Sequence, residues 1–216
     1  MNKCKNIFNE LESSLRVDGR EKLELRNVDV LFTDDSSDGS IFYKQGLTHV
    51  KITLEQTKEK KNIEVAINLL ENVNDRSNYT YKSILEKLFS VIICDRAQIK
   101  MNVTVFENNG SLLSVIFNAI TLCLIYNGIE MIDFPVALNF NENVDLCLKE
   151  EYRCNNCFIV YKIHSDEVLY VESSGQTQTG VFNKNLQNAK KTCHLLFGKF
   201  KMLLDNLQPL VDNKSL

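Results

Sequence analysis

The sequence predicts an α+β domain, and three observations carry that prediction. Segments with two-residue apolar alternation and segments with helical apolar spacing are both present. They come in runs, four strands followed by helix, strand, helix, three strands and helix, and not as a regular β–α–β alternation. One segment, 111–127, is apolar almost all round, which suits a helix covered by neighbours on every side. With 216 residues, 44% of them hydrophobic, the chain can bury one substantial core. Two prolines, eight glycines and no repeat or Pro/Gly/Ser-rich linker leave no internal boundary. The expected organisation is a leader at 1–14, one domain at 15–208 and a tail at 209–216.

The elements follow in order. Strands are expected at 28–32, 40–44, 49–55 and 63–70, each β-branched or aromatic and bounded by turn residues. The run Asp-Asp-Ser-Ser-Asp-Gly at 34–39 is a turn by composition, and Gly46 breaks the next pair. Residues 72–78 read as polar loop. Tyr81, Ile84, Leu85, Leu88, Phe89 and Ile92 then recur at helical spacing. Ile99, Met101, Val103 and Val105 alternate with Gln98, Lys100, Asn102 and Thr104, the pattern of a half-buried strand. In the apolar helix, Ser111 is placed as N-cap and Gly128 as the left-handed stop. Strands at 134–140, 157–163 and 168–172 precede a long helix at 182–207, ended near Pro209.

The formal net charge is −3 and the sequence pI about 5.7, so the overall field does not attract nucleic acid. Lys58, Lys60 and Lys61 form the strongest basic cluster, diluted by Glu55 and Glu59, and read by themselves as a solvated loop. No apolar run suits a membrane span, and the first residues lack a signal peptide's apolar stretch; no membrane contact and an intracellular location are expected. Seven scattered cysteines fit reduced thiols. Cys154 and Cys157 have one metal-like spacing, with Cys147, His164, Cys193 and His194 around them, but a zinc site needs two such pairs. A zinc-dependent binding module is therefore the weaker reading, and no metal or cofactor is expected. None of the three histidines adjoins a nucleophile in an elbow or Gly-rich turn, and no phosphate-loop motif occurs.

Several blocks in fixed order are similar to one family. Arg16-Val-Asp-Gly-Arg20 with Glu24-Leu-Arg26 resembles the R-x-D-G-R-x-x-x-E-x-R signature of the RNase PH family. Asp38-Gly-Ser with Tyr43, Gly46 and Thr48 resembles its first hairpin, and Arg96-Ala-Gln-Ile99 its R-S-Q-I strand start. Asn109-Gly-Ser111 through Asn118-Ala resembles its D-G-G helix entry; Asn127-Gly-Ile-Glu-Met-Ile-Asp133 its A-G-I-P-M-x-D; and Asp145-Leu with Glu150-Glu151 its L-D-L-x-x-x-E-D. The match spans nearly the whole chain and looks most like the exosome core subunits of the family. It implies the RNase PH-like fold (ribosomal protein S5 domain 2-like), two sheet-and-helix halves packed around a central buried helix.

The resemblance also implies what an active site would need. Phosphate, held on backbone amides of a Gly-rich turn at a helix N-terminus, attacks the 3′-terminal phosphodiester of RNA. An arginine just after the turn neutralises it, and a later aspartate handles the leaving group's proton. In this sequence the turn is Asn108-Asn109-Gly110-Ser111, the arginine position is Leu112, and the aspartate position is Asn156. No catalytic residue is expected, and Asp145 is given a fold-holding role. RNA contacts would fall to Lys58, Lys60, Lys61 and Arg76. The implied function is a non-catalytic ring subunit of an RNA exosome that guides 3′ ends through a channel, with an active phosphate-dependent exoribonuclease as alternative. The implied partners are other RNase PH-like subunits in a heterohexameric ring, cap subunits, a separate nuclease and single-stranded RNA, in nucleus (including nucleolus) and cytoplasm. Arg16, Arg20 and Arg26 with Asp18 and Glu24 also read as an ion-pair network anchoring the leader onto the sheet.

Overall fold

The computed structural model describes residues 16–33, 39–57, 62–69, 75–94, 98–152 and 155–206. The leader 1–14 and tail 209–216 lie outside them, as do Lys58, Lys60, Lys61 and Cys154. Four strands open the fold: β1 (Val28–Thr33), β2 (Ser40–Gln45), β3 (Thr48–Thr57) and β4 (Asn62–Leu69). Helix α1 (Asp75–Ile92) leads to β5 (Gln98–Glu107), and α2 (Leu112–Tyr126) to β6 (Pro135–Phe140). The short helix α3 (Leu148–Glu151), strands β7 (Cys157–Lys162) and β8 (Glu167–Ser173), and the long helix α4 (Thr179–Asp205) complete it. A five-stranded sheet has the order β1-β2-β3-β5-β4, with β4 and β5 its one parallel pair; a three-stranded antiparallel sheet has the order β6-β7-β8.

Alternation explains the first sheet. Ile99, Met101, Val103 and Val105 of β5 are buried, as are Ile41, Tyr43, Val50, Ile52 and Leu54 of β2 and β3. Their neighbours point away from the core, as the period of two requires. Helix α2 is buried at every position from Leu112 to Leu124, as its all-round apolarity predicts. It packs on β2, β3 and β6. Its one amide, Asn118, has a specific use: Nδ2 donates to Ala137 O at 2.9 Å, and Oδ1 accepts from Ala137 N–H at 2.8 Å. A side chain thus closes part of the backbone edge of β6, where no strand follows among the described residues. Phe89 of α1 stacks on Phe117 at 4.7 Å, locking the two helices together. Phe197 and Phe200 of α4 close on Phe134, and Phe200 also reaches Tyr43 of the first sheet.

Three expectations need correction. Residues 75–78 are not loop: α1 begins at Asp75, so Arg76 stands in its first turn. Asp, Ser and Asn disfavour helix interiors but suit a first turn, and composition alone blurs the two. Ser111 holds the N-cap position of α2 but does not cap; its backbone is left-handed (φ 54°) and its hydroxyl donates to Leu146 O at 2.9 Å. At the other end Gly128 has φ 69° and stops the helix as expected.

The arginine network reaches the sheet only through Arg26, which meets Thr48 of β3; its main anchor is the loop before α3 together with Glu150 of α3 itself. Arg16 grips Glu150 through Nε at 2.7 Å and Nη2 at 2.5 Å, and donates to Val144 O and Asp145 O. Arg20 binds Asp18 at 2.7 Å and also reaches Asp145 O. Arg26 donates from Nη2 to Asp145 Oδ1 at 2.6 Å, while its backbone N–H donates to Oδ2 at 2.8 Å. Its side chain crosses Gly46, where a Cβ would sit 2.5 Å from Arg26 Cδ; only glycine leaves that passage open. Asp145 carries the fold-holding role.

Burial alone would raise the Asp145 carboxyl, but the Arg26 guanidinium beside it holds the pKa below the ordinary value of 3.8. The stability from this pair is therefore present at neutral pH and is lost as pH falls through the depressed pKa. Asp145→Ala strands Arg26 in the interior and should cost roughly 3–5 kcal/mol, read as a lower urea midpoint with an unchanged slope. Loss of less than 1 kcal/mol would contradict the buried-pair assignment.

Candidate functional site

The site expected from the sequence is the turn that delivers β5 into α2. Gly110 (φ 96°) and Ser111 (φ 54°) are both left-handed, which turns successive N–H groups toward one side. Gly110 is required twice, since a Cβ there would also fall 2.6 Å from Leu146 O. The turn is held from beneath. Thr48 Oγ1 donates to Gly110 O at 2.9 Å and accepts from Asn109 N–H at 3.0 Å. Arg26 donates to the carbonyls of Asn109 and Gly110, and Leu148 N–H donates to Asn109 O. The same arginine that pairs with Asp145 therefore fixes the turn.

Both amides that could meet an anion already have partners within the chain. Gly110 N–H donates to Asn108 Oδ1 at 3.1 Å. Ser111 N–H donates to Glu151 Oε1 at 2.7 Å. A side-chain carboxylate from α3 thus occupies the amide that the resemblance gives to a phosphate. Burial pushes the Glu151 carboxyl above its ordinary value of 4.5, against the lowering effect of the Ser111 amide. Its charge is costly in this place.

Leu112, at the arginine position, is the first residue of α2 and only 4% exposed; its side chain belongs to the core. Asn156 precedes β7 and lies close to the turn through Glu151. Its Nδ2 donates to Glu151 O at 2.8 Å, and its N–H donates to Ser174 Oγ at 3.0 Å. Its Oδ1 is buried with no hydrogen-bond partner among the described residues. The structure brings Gly110, Ser111, Glu151 and Asn156 together, with Leu112 next in the chain. The sequence named Glu151 only within a family block, because nothing in linear spacing shows that a carboxylate forty residues away returns to the turn.

The remaining residues singled out in the sequence stand as follows. Arg76 stands in the first turn of α1, and Lys58, Lys60 and Lys61 fall outside the described residues. Among the described residues no group of three or more His, Cys, Asp or Glu side chains is placed to hold a metal ion. Cys147, Cys157 and Cys193 are buried free thiols. No helix among the described residues is long and apolar enough to cross a membrane. The turn can present two amides to its own Asn108 and Glu151; it offers no cation from Leu112 and no titratable group from Asn156.

No family model matches the chain. Its relatives include exosome complex component RRP41 of Caenorhabditis briggsae and of Caenorhabditis elegans, each 28% identical over 211 residues, covering 84% of this chain and 88% of the relative. Among solved structures, rice (Oryza sativa) Rrp46 superposes with a TM-score of 0.80 at 18% identity, over 88% of this chain and 100% of that one. An archaeal exosome core gives 0.71 at 16% identity, over 91% and 95% of the two chains. The Archaeoglobus fulgidus exosome with RNA bound to the active site gives 0.72 at 16% identity, over 91% and 96%. The fold is RNase PH-like, and the chain resembles the exosome core subunits of the RNase PH family, those of the RRP41 type in sequence.

Proposed function

We propose that the chain is a non-catalytic RNase PH-type ring subunit of the exosome, which supports assembly and guides RNA 3′ ends toward a separate nuclease. The observation that carries this reading is Glu151 on the Ser111 amide, the amide that the resemblance assigns to an attacking phosphate. Leu112 and Asn156 support it independently, one lacking charge and the other unable to relay a proton near neutral pH. The partners would be other RNase PH-like subunits in a heterohexameric ring, cap subunits and the nuclease, in nucleus and cytoplasm. Lys58, Lys60, Lys61 and Arg76 would face the channel and meet single-stranded RNA. Assembly draws support from strand β1, which among the described residues pairs on one side only, and from Leu31 and Phe106, which are 60% and 44% exposed beside it.

Three outcomes test the proposal. The purified ring, without added nuclease, should release no nucleoside diphosphates from single-stranded RNA and phosphate. A lost acid–base group forfeits about 10²–10⁴ in rate, and a lost charge-assisted bond roughly 1.5–3 kcal/mol. Phosphate-dependent release that vanishes in Asn156→Ala would establish the active exoribonuclease instead. By light scattering at micromolar concentration, the lone chain should self-associate and become monodisperse with an RNase PH-like partner; a stable monomer would argue against a ring subunit. Changing Lys58, Lys60 and Lys61 together to Glu should slow decay by the assembled complex, and an unchanged decay rate returns these lysines to a solvated loop.

A further inference from the structure

Helix α4 carries Lys184, Lys190, Lys191, Lys199 and Lys201 against one acidic residue, Asp205, a local charge of +4. The whole chain carries −3, so everything outside α4 carries −7. The helix buries one side, through Ala189, Thr192, Cys193, Leu196 and Phe200. Lys184, Lys191 and Lys201 are exposed on the other side, together with Asn183, Gln187 and His194. Among the described residues none of Lys184, Lys191, Lys199 and Lys201 forms an ion pair. Two nearby groups are engaged: Lys190 Nζ lies 5.5 Å over the Tyr161 ring, and His194 Nε2 lies 3.5 Å from Asp166 Oδ1.

We propose that the solvent-facing side of α4 is a track for single-stranded RNA, additional to any path through a channel. A polyanion approaching a body of charge −7 is steered to α4, the most positive helix among the described residues. From Lys184 to Lys201 the cations extend over about 25 Å of helix. A compact acidic cluster could meet two of them; a continuous run of phosphates meets them all. Asn183 and Gln187 add neutral donors suited to phosphate and sugar oxygens. A protein partner would need a continuous apolar centre. The large apolar side chains exposed on this side, Leu195 and Met202, stand two turns apart. The inference rests on the exosome reading for its choice of RNA, while the binding itself does not require a ring.

The test is fluorescence anisotropy of a labelled oligouridine across a salt series, with the purified chain in whatever oligomeric state it takes and again in complex with RNase PH-like partners. Replacing Lys184, Lys191 and Lys201 together by Gln should lower the salt slope by about 2, at about 0.7 for each lost contact. The matching Arg triple should keep the slope. All three side chains are exposed, so the thermal midpoint should not move; a shift in the Gln triple is checked against the Arg triple. An unchanged slope in the Gln triple overturns the proposal. So does a polyglutamate peptide of equal charge that competes as well as oligouridine, which would make the face a protein site. If no ring forms but the slope still falls, the track stands and the ring reading fails; if the ring forms and the slope holds, the reverse is true.

Discussion

The buried pair between Arg26 and Asp145 is the constraint on which the rest of the structure depends. One guanidinium satisfies the carboxylate, crosses Gly46, and donates to the carbonyls of Asn109 and Gly110. It thereby ties together the segment before β1, the β2–β3 hairpin, the entry to α2 and the loop before α3. A lysine could not make these bonds at once, because they need a planar fork of several donors. Arg16, Arg20 and Glu150 repeat the scheme on the same loop. The segment that opens the described chain and a loop some 120 residues later are therefore one unit. The short helix α3 takes its place from that unit, and with it Glu151.

Much of this was legible in the sequence. The alternating β5 and the all-apolar α2 could be read directly, because each obeys a single period and each faces one kind of surroundings. The start of α1 was not legible, since Asp75, Ser77 and Asn78 have the composition of a loop and also of a helical first turn. Ser111 was misread for a related reason. Its hydroxyl has the chemistry of a cap, but a left-handed backbone turns it to Leu146, and backbone handedness at a non-glycine residue leaves no trace in composition.

The turn divides in the same way. Leu112 and Asn156 stand at positions that a resemblance can point to, so their side chains could be judged before any geometry existed. Glu151 belongs to a different element, and only the packing of α3 against the turn reveals its role. The lysines of α4 were overlooked because they lie up to seventeen positions apart along the chain; a helix gathers onto one side what the linear sequence dilutes. Charge counted in windows finds clusters such as Lys58, Lys60 and Lys61, whereas charge counted by face finds α4.

The seating of Glu151 makes the turn complete without a guest. Its carboxylate and the Ser111 amide form one internal contact, so an external anion gains that amide only by displacing a group of the same chain. The competition is unequal, because a tethered carboxylate is always at hand while a free anion must be captured from solution. A substitution at position 112 or 156 leaves both partners of the contact present. The turn therefore behaves as a closed joint of the scaffold, and opening it takes a change at Glu151 itself.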